Sequence, residues 1–291
     1  MPPLRVGVTV GDPAGIGPEI IRAALASNKL PHGVEFRLIG DVDEVKQSPP
    51  GDESARIAWH ALETAAHLAH AGEIDAVVTG PIHKANMAKI GFPFPGQTEF
   101  FAARAGVTNY AMLLTAGAIT VALVTTHLPL REVAPSLRQE EIVRVGKLLA
   151  AFLRQRHLPS ARIAVAGLNP HAGESGMLGT EEHEIISPAI SALQAAEPDV
   201  FYEGPIPPDT LFYQLANGKW DAALCMYHDQ GLIPLKLHGF DQGVNVTLGL
   251  PYPRTSPDHG TAFDIAGRGI ARPDSMIAAC CLAAELAGGG R

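Results

Sequence analysis

The chain has 291 residues, 46% of them hydrophobic and 18% charged, with 30 Gly and 24 Pro, which fits a loop-rich globular protein and excludes disordered and fibrous classes. A folded chain of this length buries about three quarters of its surface, enough for one large or two ordinary domains with a sizeable core. A formal net charge of −8 with no long basic run disfavours a nucleic-acid partner, so an anionic ligand would need a local basic pocket.

The N-terminal segment MPPLRVGVTVGDP has no positive n-region followed by a long apolar stretch, and no run of about 18 uninterrupted apolar residues occurs. We therefore expect a cytoplasmic protein with no membrane partner. Strand-like runs follow at 6–10, 35–39, 76–79, 120–125, 162–166 and 222–226, and helical periodicity at 55–71, 139–156 and 181–196. This alternation predicts an α/β fold with crossover helices on a largely parallel sheet. Most polar, Gly/Pro-rich motifs fall just after a strand-like run, the edge where open α/β sheets place ligands. Cys225, Cys280 and Cys281 show no CxxC spacing, and read as buried thiols in a reducing compartment.

The first motif, Gly11-Asp12-Pro13-Ala14-Gly15-Ile16-Gly17-Pro18-Glu19, follows a strand and precedes a helix. It is not a dinucleotide fingerprint, because Ile20 stands where the third glycine of GxGxxG belongs. In Thr79-Gly80-Pro81-Ile82-His83-Lys84, Lys84 can be a base, a phosphate ligand or a solvated charge. In Pro95-Gly96-Gln97-Thr98-Glu99, Thr98 can donate its hydroxyl, while Gln97 can hydrogen-bond but cannot take up a proton near neutral pH.

His127 in THLP, His171 in NPHAGE and His228 in YHDQG each follow a strand-like run. Three imidazoles delivered by separate loops suit a divalent metal with open coordination positions. Such an ion would lower the pKa of a substrate hydroxyl, which makes alcohol oxidation a natural use. Asp209 and Asp229 can orient an imidazole or act as bases, and equally serve as turn or cap residues. Lys236 and Arg254 can supply positive charge to an acidic substrate or remain surface charges, and Asn245 lies in the same C-terminal cluster, which ends in DHGTAFDIAG.

Taken in order, GDPAGIGPE, TGPIHK, GQTEFF, TTHLPL, GLNPHAGE, PPDTLF, YHDQG and GVNVTLGLPYPRTSPDHGTAFDIAG resemble the 4-hydroxythreonine-4-phosphate dehydrogenase family over about residues 5 to 280. The resemblance implies two α/β/α domains of the isocitrate and isopropylmalate dehydrogenase type, a first of residues 1–120 plus 246–291 and a second of 121–245. It further implies a homodimer with the active site in the inter-domain cleft and residues from both subunits. Metal ligands fall on His127, His171 and His228, with His228 joining the other two across the dimer interface. Zinc, cobalt, nickel, manganese and magnesium all remain open. Substrate contacts fall on Gln97, Thr98, Lys236, Asn245 and Arg254. The loop carrying His259, Gly260, Thr261 and Asp264 is similar to the adenosine-binding loop of the decarboxylating dehydrogenases, giving a place for NAD, or NADP, without GxGxxG.

The implied reaction is NAD-dependent oxidation with decarboxylation of 4-phosphohydroxy-L-threonine to 3-amino-2-oxopropyl phosphate, in pyridoxal phosphate biosynthesis. Lys84, Asp209 and Asp229 are the candidates for proton handling. Two departures stand out: Gln97 replaces the His of the family's GHTE, and the chain looks trimmed around residues 45–55. The first opens the alternatives of D-threonate or D-erythronate 4-phosphate, or a terephthalate-type cis-dihydrodiol. The rivals are a phosphate acyltransferase of related architecture, which would not need three histidines in metal-binding positions, and a non-catalytic small-molecule binder.

Overall fold

The computed structural model describes residues 3–40 and 49–289. The expected trimming therefore lies partly outside the described residues. The chain divides into two compact units, Met1–Thr108 with Val244–Arg291, and Asn109–Gly243. The first opens with β1 (Leu4–Thr9), α1 (Gly17–Leu25), β2 (Val34–Ile39), α2 (Asp52–His70), β3 (Ala76–Thr79), α3 (Lys84–Lys89) and α4 (Gln97–Arg104). The second carries β4 (Ala111–Ala116), β5 (Ile119–Leu123), α5 (Leu130–Ser136), α6 (Gln139–Gln155), β6 (Arg162–Ala166), α7 (Ser187–Ala196), β7 (Phe201–Ile206), α8 (Pro208–Ala216), β8 (Ala222–Cys225) and α9 (His228–Gly239). The chain then returns to the first unit with β9 (Val244–Leu248), β10 (Arg254–Pro257) and α10 (Asp274–Gly288).

In the first unit the strands lie in the order β2-β1-β3-β10-β9, all parallel except β9. Every residue of β3, AVVT, is buried, as expected of a parallel strand covered on both faces. The Ala-rich face of α2, with Ala58, Ala61, Leu62 and Ala65, joins a cluster containing Val77, Met87, Phe100 and Phe101. A fully buried leucine such as Leu62 contributes roughly 1.5–3 kcal/mol. Because β1, β3 and β10 run in parallel, the loops that follow them leave from one edge.

The second unit has the order β4-β5-β8-β6-β7, with β5, β8, β6 and β7 parallel and β4 antiparallel to β5. The expectation of a boundary at residues 120/121 would cut β5; the tight turn at Gly117, φ 56°, makes β4 and β5 one hairpin and keeps both together. The predicted helix over 181–196 divides into a π-helical turn, Glu182–Ile186, and α7. Pro188 accounts for this. It has no N–H for the carbonyl four residues back and its ring crowds that carbonyl, so the preceding turn widens. Among the described residues no helix is long and apolar enough to cross a membrane.

Candidate active site

Three loops on one edge of the first unit form a single cluster. Ile16 N–H donates to Thr261 O at 2.9 Å, and a Cβ placed on Gly15 would stand 2.6 Å from that same oxygen, so the close approach requires glycine. Asp12 N–H donates to Pro81 O at 2.8 Å. The His83 ring lies 5.1 Å from that of Phe263, centroid to centroid, while its Nδ1 accepts from Asn86 N–H and caps α3. GDPAGIG, TGPIHK and DHGTAF are thus neighbours in space. Within the cluster Asp12 is fully buried, with Oδ1 accepting from Ala14 N–H and Oδ2 without a partner. Burial raises its pKa, with the Ala14 N–H opposing. His259 Nδ1 lies 3.1 Å from Gly260 O, which assigns the proton to Nδ1 and leaves the buried Nε2 an acceptor without a partner.

Arg254, on β10, is 3% exposed. Its guanidinium donates to Thr247 Oγ1 at 3.3 Å, to Thr79 Oγ1 at 2.5 Å and to Gln97 Oε1 at 3.1 Å, all neutral acceptors, and its Nε has no partner. Burial pulls its pKa down to about 10, with the charge of Glu99 pulling it back, so the group is a full cation at neutral pH. Leaving a charge buried in this way costs several kcal/mol, roughly 3–5, unless an opposite charge arrives. Gln97 donates through Nε2 to Gly80 O at 3.1 Å, so both ends of its amide are committed. Thr98 Oγ1 is 3.4 Å from Thr247 Oγ1. The β9–β10 register, Ser256 opposite Asn245, puts Asn245 on the same face as Thr247, and its buried Oδ1 has no partner. Four of the predicted substrate contacts, Gln97, Thr98, Asn245 and Arg254, therefore share one region of the first unit. Lys236 belongs to the second, its Nζ 5.9 Å from the Phe240 ring centroid.

In the second unit β8 lies between β5 and β6, so the loops bearing His127, His228 and His171 leave adjacent parallel strands at one edge. The His127 and His228 ring centroids are 5.7 Å apart within one chain. Asp229 Oδ1 lies 2.7 Å from His228 Nδ1, which makes that nitrogen the donor and leaves Nε2 with its lone pair. Neutral imidazoles oriented by a carboxylate are donors of the chemical type that divalent ions take. His171 stands apart, with Nδ1 3.9 Å from Glu174 Oε2, and among the described residues no three metal-binding side chains converge. Lys84 begins α3 and is exposed; Asp209 is exposed in the first turn of α8, where its charge offsets the helix dipole. Gly260 and Asp264 are exposed and Thr261 is buried.

Sequence reasoning missed Asp12, Glu182 and Gln230 as individual residues. Gln230 accepts from Met226 N–H and donates to Gly167 O, both at 2.7 Å, tying the ends of β8 and β6 together. Its position two residues after His228 in YHDQG was the available signal. Glu182 had none, since it binds a loop 13 residues away.

The family model described as pyridoxal phosphate biosynthetic protein PdxA matches residues 21–283. The 4-hydroxythreonine-4-phosphate dehydrogenase of Methylorubrum populi is 41% identical over 97% of this chain and 94% of its own length. The D-threonate 4-phosphate dehydrogenase of Pectobacterium atrosepticum is 40% identical over 97% of this chain and 99% of its own. The alignment with the Methylorubrum protein spans 330 positions, more than this chain has residues, so this chain lacks segments present there. Among solved structures, the 4-hydroxythreonine-4-phosphate dehydrogenase of Klebsiella pneumoniae superposes with a TM-score of 0.82 at 38% identity, covering 98% of this chain and 99% of that one. The motifs along the chain, the layered α/β architecture and these matches converge: this chain belongs to the PdxA family of pyridoxal phosphate biosynthetic proteins.

Proposed function

We propose that this chain is an NAD-dependent dehydrogenase that oxidises, with decarboxylation, the secondary alcohol of 4-phosphohydroxy-L-threonine, giving 3-amino-2-oxopropyl phosphate in the cytoplasm. The observation that carries the reading is Arg254: a buried cation whose hydrogen-bond partners are all neutral, with an open Nε, on the same sheet face as the orphaned Asn245 Oδ1. Such a pair calls for a ligand with an anionic group and a neighbouring donor, as a phosphorylated hydroxy acid offers. When bound, a divalent ion supplies Lewis acidity toward the substrate hydroxyl and NAD accepts hydride.

The chain's own groups divide the remaining work. Arg254 holds the anion and Gln97 aims the guanidinium. Thr98 and Asn245 hydrogen-bond polar groups of the substrate, with Lys236 adding positive charge. Asp229 fixes the tautomer in which His228 presents Nε2 beside His127, and His171 completes the ligand set. His259, Gly260, Thr261 and Asp264 form the cofactor loop. Lys84, Asp209 and Asp229 are the groups available to carry protons. The exposed Ile233, Leu237 and Phe240, at helical spacing on and just after α9, support a homodimer.

The second reading, oxidation of a phosphorylated threonate, draws on Gln97, whose committed amide lacks the titratable group expected there, and on the 40% identity to a D-threonate 4-phosphate dehydrogenase. A turnover screen following NADH, with protein reconstituted in turn with zinc, cobalt, nickel, manganese and magnesium, tests both. The substrates are 4-phosphohydroxy-L-threonine, D-threonate 4-phosphate, D-erythronate 4-phosphate and a cyclic cis-diol. Turnover of the first supports the main reading, turnover of a threonate or erythronate alone replaces it with the second, and no turnover with any pair overturns both.

A further inference from the structure

Residues His171, Ala172, Gly173, Glu174 and Ser175 all have positive φ, between 42° and 82°, forming a left-handed turn in which four of the five are not glycine. Left-handed backbone costs such residues roughly 1–2 kcal/mol each, so a run of them persists only where the surroundings impose it. Against this turn lies Glu182, a carboxylate 5% exposed. Its Oε1 accepts from Leu168 N–H at 2.8 Å and Asn169 N–H at 2.7 Å, and its Oε2 from Asn169 Nδ2 at 3.0 Å. A Cβ on Gly173 would stand 2.7 Å from Oε2, so the turn closes onto the carboxylate at a residue with no side chain. Glu182 is itself held at the start of the π turn, where its carbonyl accepts from Ser187 N–H.

We propose that Glu182 is a positioning residue for His171: bound to the strand end on one side and packed on Gly173 on the other, its carboxylate holds the left-handed turn that presents the imidazole. The turn exposes two thirds of the His171 side chain, 66%, instead of folding it back onto β6. This rests on the reading of His171 as a metal ligand. It adds that the ligand's geometry is set by a residue that touches neither metal nor substrate.

The test is Co²⁺ titration of full-length apo-protein, followed by its visible absorption and by competition with a chelator, with far-UV circular dichroism and thermal melts alongside. Four proteins are compared: unaltered, Glu182→Gln, Gly173→Ala and His171→Ala. Glu182→Gln turns one acceptor oxygen into a donor facing N–H groups, and Gly173→Ala pushes the turn off an intact carboxylate. Each is expected to weaken Co²⁺ binding about 10- to 100-fold and alter the absorption band, with native circular dichroism retained. Should Glu182→Gln fail to fold, Gly173→Ala carries the test alone. Tight binding by the folded Glu182 and Gly173 variants, with binding lost in His171→Ala, overturns this inference and leaves the ligand assignment standing. Unchanged binding by His171→Ala overturns both.

Discussion

Arg254 keeps a full charge among the hydroxyls of Thr79 and Thr247 and the amide of Gln97, with Glu99 acting on it by charge alone and not as the hydrogen-bonded carboxylate that would normally accompany a buried guanidinium. Replacing it with Ala should raise KM for a phosphorylated substrate about 10- to 150-fold, since a hydrogen bond to a charged group is worth roughly 1.5–3 kcal/mol. Steady-state kinetics at saturating NAD and metal would show it; an unchanged KM would remove Arg254 from the site. Gln97→Glu places a carboxylate about 3 Å from Nη2 and neutralises the guanidinium, while its second oxygen faces Gly80 O where the amide had donated, so KM should increase at least about tenfold with the melting temperature little changed. Measuring both on one variant separates a neutralised binding site from a damaged one.

At the scale of elements, Glu63 on α2 accepts from Trp59 Nε1 at 2.9 Å and from Arg104 on α4, whose guanidinium also lies over the Phe94 and Phe100 rings. The Arg104 bond is the main cause holding the Glu63 carboxyl below its ordinary value of 4.5, against the opposing effect of burial. A carboxylate with a depressed folded-state pKa stabilises above its unfolded value and loses that contribution as pH falls through the folded one. The melting temperature of Glu63→Gln should therefore lie below that of the unaltered protein at pH 7, and the gap should close on acidification from pH 5 toward pH 3. A constant gap would show that the carboxylate charge is irrelevant.

The elements themselves were unequally legible. Strands β1, β3, β5, β6 and β8 and helices α2 and α6 announce themselves by apolar runs or 3.6-residue periodicity. β4 reads as AMLLTA, whose Ala and Leu favour a helix, and becomes a strand through its hairpin partner. β10, RTSP, is short, polar and ends in proline, and exists because β3 and β9 flank it. The site followed the same pattern. Histidines at strand ends were visible one by one, and so was Arg254. What escaped reading was long-range pairing: Thr79 with Arg254 across 175 residues, and the Glu182 carboxylate with a loop that precedes it.

For the molecule as a whole, the α9 stripe leads to a direct expectation. Leu237 is 88% exposed, with Ile233 and Phe240 on the same side at helical spacing. Light scattering of the unaltered protein should report a dimer, and Leu237→Asp should shift it to monomer by placing a charge where an apolar contact is buried. A monomeric unaltered protein would refute the interface.

The interrupted course of the first unit has a consequence for biosynthesis. Its strand order places β10, made late, directly against β3, made early, and Thr261 O caps a loop whose Ile16 left the ribosome some 245 residues before. The Asn109–Gly243 unit is continuous in sequence and has all five of its own strands in hand once β8 emerges. During translation, then, the later-starting unit can close first, while β1, β2 and β3 wait with one flank of β3 unpaired until the last fifth of the chain arrives. Nascent chains arrested after residue 243 should accordingly show protease protection confined to the inserted unit, and a chaperone that shields β-edges should bind them through the N-terminal strands.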